Sequence, residues 1–198
     1  MMANEETITA IASNYDVLFS FFGSDTRLSF TGNLFNALRR KRFKTFIDND
    51  GIKSGDQIVA STFKALEGSK IAIVVFSKRY AASTYCLDEL VKILECRNKI
   101  NQRVLPIFYE VDPFEVRDQT GTYGKSFDAH EYRFGKDYVK LQNWKSTLLT
   151  GWHFQNRYTL SIFYIRKSNL HDQYIQIKFI YMLALFLNLC SSEYYKLL

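Results

Sequence analysis

Four short apolar runs punctuate the first 110 residues, and amphipathic stretches separate them. Asp16-Val17-Leu18-Phe19-Ser20-Phe21 is the first and Lys44-Thr45-Phe46-Ile47 the second, followed by Ile71 to Phe76 and Val104 to Tyr109. Runs this short and this continuously apolar suit strands covered on both faces, as in a parallel sheet. The intervening pattern is helical. Phe30, Leu34 and Leu38 recur every four residues, which predicts a first helix over Arg27 to Arg42. Asp56 is positioned to cap a second helix reaching about Glu67, with Ile58, Val59, Phe63 and Leu66 inward. Leu87, Leu90, Val91 and Leu94 make an i, i+3, i+4, i+7 stripe on a third. A fourth is predicted near Lys125 to Phe134 and a fifth near Asp137 to Leu149. Strands alternating with helices across short connections predict a doubly wound α/β fold, whose ligands bind beyond the carboxyl ends of the strands.

The character changes after Phe154, where Ile, Phe, Tyr, Lys and Asn dominate without a regular period. Phe179 to Leu187 is apolar but too short to span a bilayer, and it lacks the basic face of an interfacial helix. The expected organisation is an N-terminal extension at 1–13, one domain at 14–154 and an irregular tail at 155–198.

Composition fits a globular chain: 198 residues, 47% hydrophobic, 23% charged and few prolines. The net charge of +6 is scattered except for Arg39-Arg40-Lys41-Arg42. That run falls at the end of a predicted helix, where cations suit the dipole, so no nucleic-acid partner is expected. Three cysteines without framework spacing point to a reducing compartment, and no membrane association is expected. Residues 1–14 lack the apolar core of a signal peptide, so a cytoplasmic location, with the nucleus also open, is the expectation. Gly124-Lys125-Ser126 resembles the end of a phosphate-binding P-loop, but Gln119 stands where its first glycine belongs. The three histidines show no zinc spacing with the cysteines, and no metal is expected. Cys86 is read as a small buried hydrophobe.

Four segments in order carry a family resemblance. They are Tyr15 to Arg27 (YDVLFSFFGSDTR), Thr45-Phe46-Ile47-Asp48 through Gly55, Val75 to Ala81 leading into Cys86-Leu87-Asp88-Glu89-Leu90, and Leu105 to Pro113 continuing to Val116-Arg117. Together they resemble the Toll/interleukin-receptor (TIR) domain of plant intracellular immune receptors, over about residues 14 to 154. The resemblance implies a flavodoxin-like sheet of five parallel strands; only four are evident in the sequence. It identifies the chain as a TIR-only protein or a truncated receptor acting in plant innate immune signalling and cell death.

Such domains hydrolyse or cyclise NAD, so the resemblance implies NAD+ or NADP+ as substrate rather than cofactor, with no other cofactor. It places the essential glutamate at Glu89 and an aromatic neighbour, usually tryptophan, at Tyr85. Gly23 is expected to let backbone approach the phosphates, Arg27 or Lys53 to meet their charge, and Phe46 to stack. Glu89 falls off the apolar stripe, on a face shared with Tyr85 and Ile93. The competing reading is a solvated carboxylate paired with Lys92. Asp25 and Arg27 have a plainer role as a salt bridge pinning their loop. Departures from the family are Phe22, where an arginine or other polar residue is common, Gly32-Asn33 in place of a Ser-His pair used in self-association, and a final helix cut short before Gly151. Homo- or hetero-oligomers with other TIR domains are expected from the resemblance, and the departures bear on that assembly. The alternative function is a non-catalytic TIR adaptor.

Overall fold

The computed structural model describes residues 15–47, 56–136, 138–151 and 163–165. Five parallel strands form one sheet in the order β2-β1-β3-β4-β5: β1 Tyr15–Phe21, β2 Thr45–Ile47, β3 Ser69–Phe76, β4 Arg103–Tyr109 and β5 Phe163–Ile165. The four apolar runs are four of these strands. β1 and β3 are buried along most of their length, which is why neither alternates polar with apolar. The order reverses between β1 and β3. Connections leaving those two strands diverge to opposite sides, opening a crevice at their carboxyl ends.

Side chains on the two faces of the sheet belong to separate cores. Val17, Phe19, Ile71, Ile73 and Ile107 pack with Phe30, Leu34 and Leu38 of α2 (Phe30–Arg40). Leu18, Ala72, Val74, Phe76 and Phe108 face the other way. They meet Leu66 of α3 (Asp56–Glu67), Leu87 and Ile93 of α4 (Thr84–Ile100), Val116 of α5 (Pro113–Asp118), Phe127 of α6 (Gly121–Phe134), and Trp144 and Leu148 of α7 (Val139–Gly151). Ser83 caps α4 by accepting from Cys86 N at 3.2 Å, and Asn101 ends it in the left-handed region at φ 54°. No helix among the described residues is long and apolar enough to cross a membrane.

Several sequence expectations are corrected. The first helix does not run from Arg27. A short helix α1 (Gly23–Thr26) and a turn precede α2, and Leu28 in that turn is fully exposed. The cause is local, because α2 packs directly onto the turn: a Cβ on Gly32 would lie 2.1 Å from the Arg27 carbonyl oxygen. The fifth strand comes from the stretch read as an irregular tail, and Glu110 N donates to Ile165 O at 2.9 Å to join it to the end of β4. Three residues in a poorly patterned segment carry no periodicity of their own. The helix read as the final one, α7, lies inside the β4–β5 connection and packs on α4 and α6. Gly124 to Ser126 lie within α6, as expected of a helix surface rather than a phosphate loop. Asp56, Ile58 and Val59 belong to α3, but their side chains lie outside the described residues.

Candidate active site

A polar residue inside an apolar strand is the starting point. Ser20 is the penultimate residue of β1, paired with Val74 of β3 beside the switch point, and it is fully buried. A buried hydroxyl needs partners. Ser20 Oγ donates to Glu89 Oε2 at 2.5 Å and lies 2.9 Å from Tyr80 Oη. Tyr80 sits in the 3-10 turn Tyr80–Ala82 after β3, and its hydroxyl donates to Cys86 O at 3.0 Å. The carboxylate, the serine and the phenol are thus one buried cluster at the carboxyl ends of β1 and β3.

This placement corrects the expected orientation of Glu89. The side chain is 2% exposed, and Ile93 is fully buried in the core. The inward face of α4 follows Cys86, Glu89, Leu90, Ile93 and Cys96, while Val91 and Leu94 are only half-buried. Counting Cys86, already read as a buried hydrophobe, and Cys96 into the apolar stripe would have rotated it toward Glu89. Lys92 is not the expected partner: its Nζ pairs with Glu67 at 2.6 Å and Glu95 at 3.8 Å. Burial dominates the neighbouring titrations. It pushes the Cys86 thiol up to about 12, with the Glu89 charge adding to the effect. Burial, then Cys86 and Glu89, holds the Tyr80 phenol well above its ordinary value. Both groups therefore stay neutral near pH 7.

Above the cluster, the loops after β1 and β3 are tied together. Asp25 Oδ2 accepts from Ser77 Oγ at 2.7 Å and from Arg79 N at 3.0 Å, and Oδ1 accepts from Arg79 Nε at 2.7 Å. Asp25 thus pins its loop to Arg79. The Arg79 guanidinium also covers the Phe22 ring at 5.2 Å. Sequence reading missed Ser20, Ser77, Arg79 and Tyr80. Only Ser20, polar within a doubly covered strand, carried a signal.

The other expected residues are spread unevenly. Arg27 folds back on Gly23, its Nε 3.3 Å from where a Gly23 Cβ would sit, and its guanidinium lies 5.0 Å over Phe21. These two residues share the loop directly after β1. Tyr85, one turn before Glu89, is half-buried and donates to Thr62 Oγ1 of α3 at 2.9 Å. Phe46 meets Tyr15 edge-on at 5.2 Å and lines a cavity of about 440 Å3 with Phe35, Arg39 and Phe43. That cavity follows the β2 edge and does not include Glu89. Lys53 lies outside the described residues.

Comparison with known proteins agrees with this architecture. Residues 14–167 match the TIR domain family, a span that includes β5. The chain belongs to the TIR domain family. It is 46% identical over 135 residues to the TMV resistance protein N of Nicotiana glutinosa, covering 68% of this chain and 12% of that protein. It is 44% identical over 146 residues to disease resistance protein RPV1 of Vitis rotundifolia, covering 71% and 10% respectively. The chain therefore matches roughly a tenth of each relative's length. Among solved structures, the TIR domains of the activated Roq1 resistosome, which directly recognises the pathogen effector XopQ, superpose with a TM-score of 0.70 at 42% identity. That match covers 85% of this chain and 98% of that one. The flavodoxin-like TIR fold expected from the sequence is the fold observed.

Proposed function

We propose that this TIR domain is an NAD+ nucleosidase in plant immune signalling, with Glu89 as its catalytic carboxylate and NAD+ or NADP+ as substrate. The observation that carries the reading is the position of Glu89. Its carboxylate lies under the β1/β3 switch point, fixed by a charge-assisted bond from Ser20. Cleavage breaks the bond between ribose C1′ and the nicotinamide nitrogen. The electron pair leaves with nicotinamide, which departs neutral, so no general acid is required. Positive charge develops on the ribose, and a fixed carboxylate in a low-dielectric site stabilises it far better than one in water. Water then attacks C1′ and loses a proton to give ADP-ribose, whereas attack by an adenine nitrogen gives the cyclic product. Gly23 and Arg27, adjacent after β1, are assigned to the pyrophosphate, and the half-buried Tyr85 ring to the edge of the site. Assembly with other TIR domains, the setting in which the Roq1 domains were solved, is part of the proposal.

One observation favours the adaptor alternative. A carboxylate that is 2% exposed and hydrogen-bonded to the strand beneath it also serves as a packing element. Purified protein at high concentration, incubated with NAD+ and assayed for nicotinamide, separates the two. Release that disappears in Glu89→Gln supports the enzyme. No release from wild-type protein leaves the adaptor, and equal release from both discards Glu89 as the catalyst.

A further inference from the structure

We propose that Ser20 and Tyr80 are positioning residues for Glu89, forming with the Cys86 carbonyl a buried relay that takes up one extra proton at the carboxyl. The catalytic use of this relay rests on the reading above; the relay itself does not. The geometry is a row of four oxygens: Glu89 Oε2, Ser20 Oγ, Tyr80 Oη and Cys86 O, separated by 2.5, 2.9 and 3.0 Å. Those three contacts share only two hydroxyl protons while Glu89 is ionised. One contact must then go without. If Ser20 donates to Glu89 and Tyr80 to Ser20, the Cys86 carbonyl loses its phenol. If Tyr80 keeps the carbonyl, two lone pairs face each other between Tyr80 and Ser20. A proton on Glu89 removes the conflict: Glu89 donates to Ser20, Ser20 to Tyr80 and Tyr80 to Cys86 O. Both hydroxyls turn together, and every contact carries one proton.

Among the described residues, neighbouring polar groups have bonds of their own outside the row. Burial keeps the Tyr80 phenol neutral, so its proton is always in the count. On α4, Asp88 is engaged by Lys140 and the Trp144 indole, Lys92 by Glu67, and Tyr85 by Thr62. The Cys86 thiol donates to Phe21 O at 3.6 Å. From α6, the Tyr123 hydroxyl donates to Ser77 O at 3.0 Å, and from the β1 loop Asp25 is held by Ser77 and Arg79. On α3, Lys64 is exposed and Glu67 is paired with Lys92 among the described side chains.

The relay has a signature that simple packing lacks. In Tyr80→Phe, ionised and protonated Glu89 each keep one bond in the row, so the extra bond that favours the protonated form is gone. The Glu89 titration midpoint is expected to fall by about 0.5–1 pH unit, roughly a three- to tenfold change in ionisation constant. Infrared titration of the intact chain reads this directly through the carboxyl band that is absent in Glu89→Gln. In a Ser20→Ala background, which cuts the row, adding Tyr80→Phe is expected to move the midpoint by less than about 0.2 unit. An unmoved midpoint in Tyr80→Phe, or the same shift with and without Ser20, overturns the relay. Should Tyr80→Phe fail to fold, wild-type protein carrying 13C at tyrosine Cζ supplies the answer. One tyrosine resonance must titrate with the Glu89 midpoint and stop doing so in Glu89→Gln; its absence rejects the proposal. Wild-type protein that titrates this way but releases no nicotinamide supports the relay and discards the nucleosidase reading.

Discussion

Replacing Asp25 by alanine tests how the crevice above Glu89 is held open. The substitution removes three bonds that join the loop after β1 to the loop after β3. They are unequal. Ser77 is 1% exposed, so its hydroxyl would be left without its acceptor, which costs about 1–3 kcal/mol. The Arg79 backbone amide is less enclosed, and losing its acceptor costs about 1 kcal/mol. The ion pair itself contributes little, because the Arg79 side chain is 58% exposed and water and salt screen it; about 0–1 kcal/mol is appropriate. The expected loss is therefore about 2–5 kcal/mol, or roughly 4–20 °C in Tm for a domain of this size. Arg79→Ala, which keeps the Ser77 bond and the amide, is expected to cost less than about 1 kcal/mol. Urea unfolding followed by tryptophan fluorescence, at low and high salt, provides the comparison. Equal losses in the two variants, or a loss in Asp25→Ala that vanishes at high salt, would refute the assignment of the energy to the buried serine.

Other consequences follow from single contacts. Gly32→Ser puts a Cβ 2.1 Å from the Arg27 carbonyl, an overlap with rigid backbone, and is expected to cost about 1–3 kcal/mol despite serine's better helix propensity; unchanged thermal unfolding would show that the turn yields freely. The Cys86 thiol titrates at about 12 in the folded chain against an ordinary value of 9.0, so its contribution is complete below pH 9 and disappears as pH rises toward 12. Buried Tyr80 and Tyr123, also raised, lose stability in the same alkaline direction. Stability measured by urea titration from pH 8 to 11 should therefore fall, and Cys86→Ala should flatten the slope. For the same reason, native protein at pH 8 should leave Cys86 unlabelled by iodoacetamide, and labelling as fast as in urea would contradict its burial.

How much of this was legible beforehand depends on the range of the interactions. The apolar runs of β1, β3 and β4 need cover on both faces, and that demand is written in consecutive residues. α4 was legible as a helix for the same local reason, and its capping serine lies just upstream. β5 was not, because its three residues become a strand through pairing with Ile107, Phe108 and Tyr109 more than fifty positions earlier. The site divides in the same way. The segment around Glu89 was evident from resemblance, but its inward orientation depended on which face of α4 met the sheet.

The sequence by itself determined the alternation of strands and helices and the parallel sheet, because periodicity is a short-range property; Glu89 was singled out by family resemblance. Tertiary structure alone decided that Ser20 and Tyr80, 69 and nine residues before Glu89, would meet it, and that Asp25 would clasp Ser77 and Arg79. Sheet order brings the ends of β1 and β3 side by side, and a buried hydroxyl or carboxyl must then bond to whatever the crossing delivers.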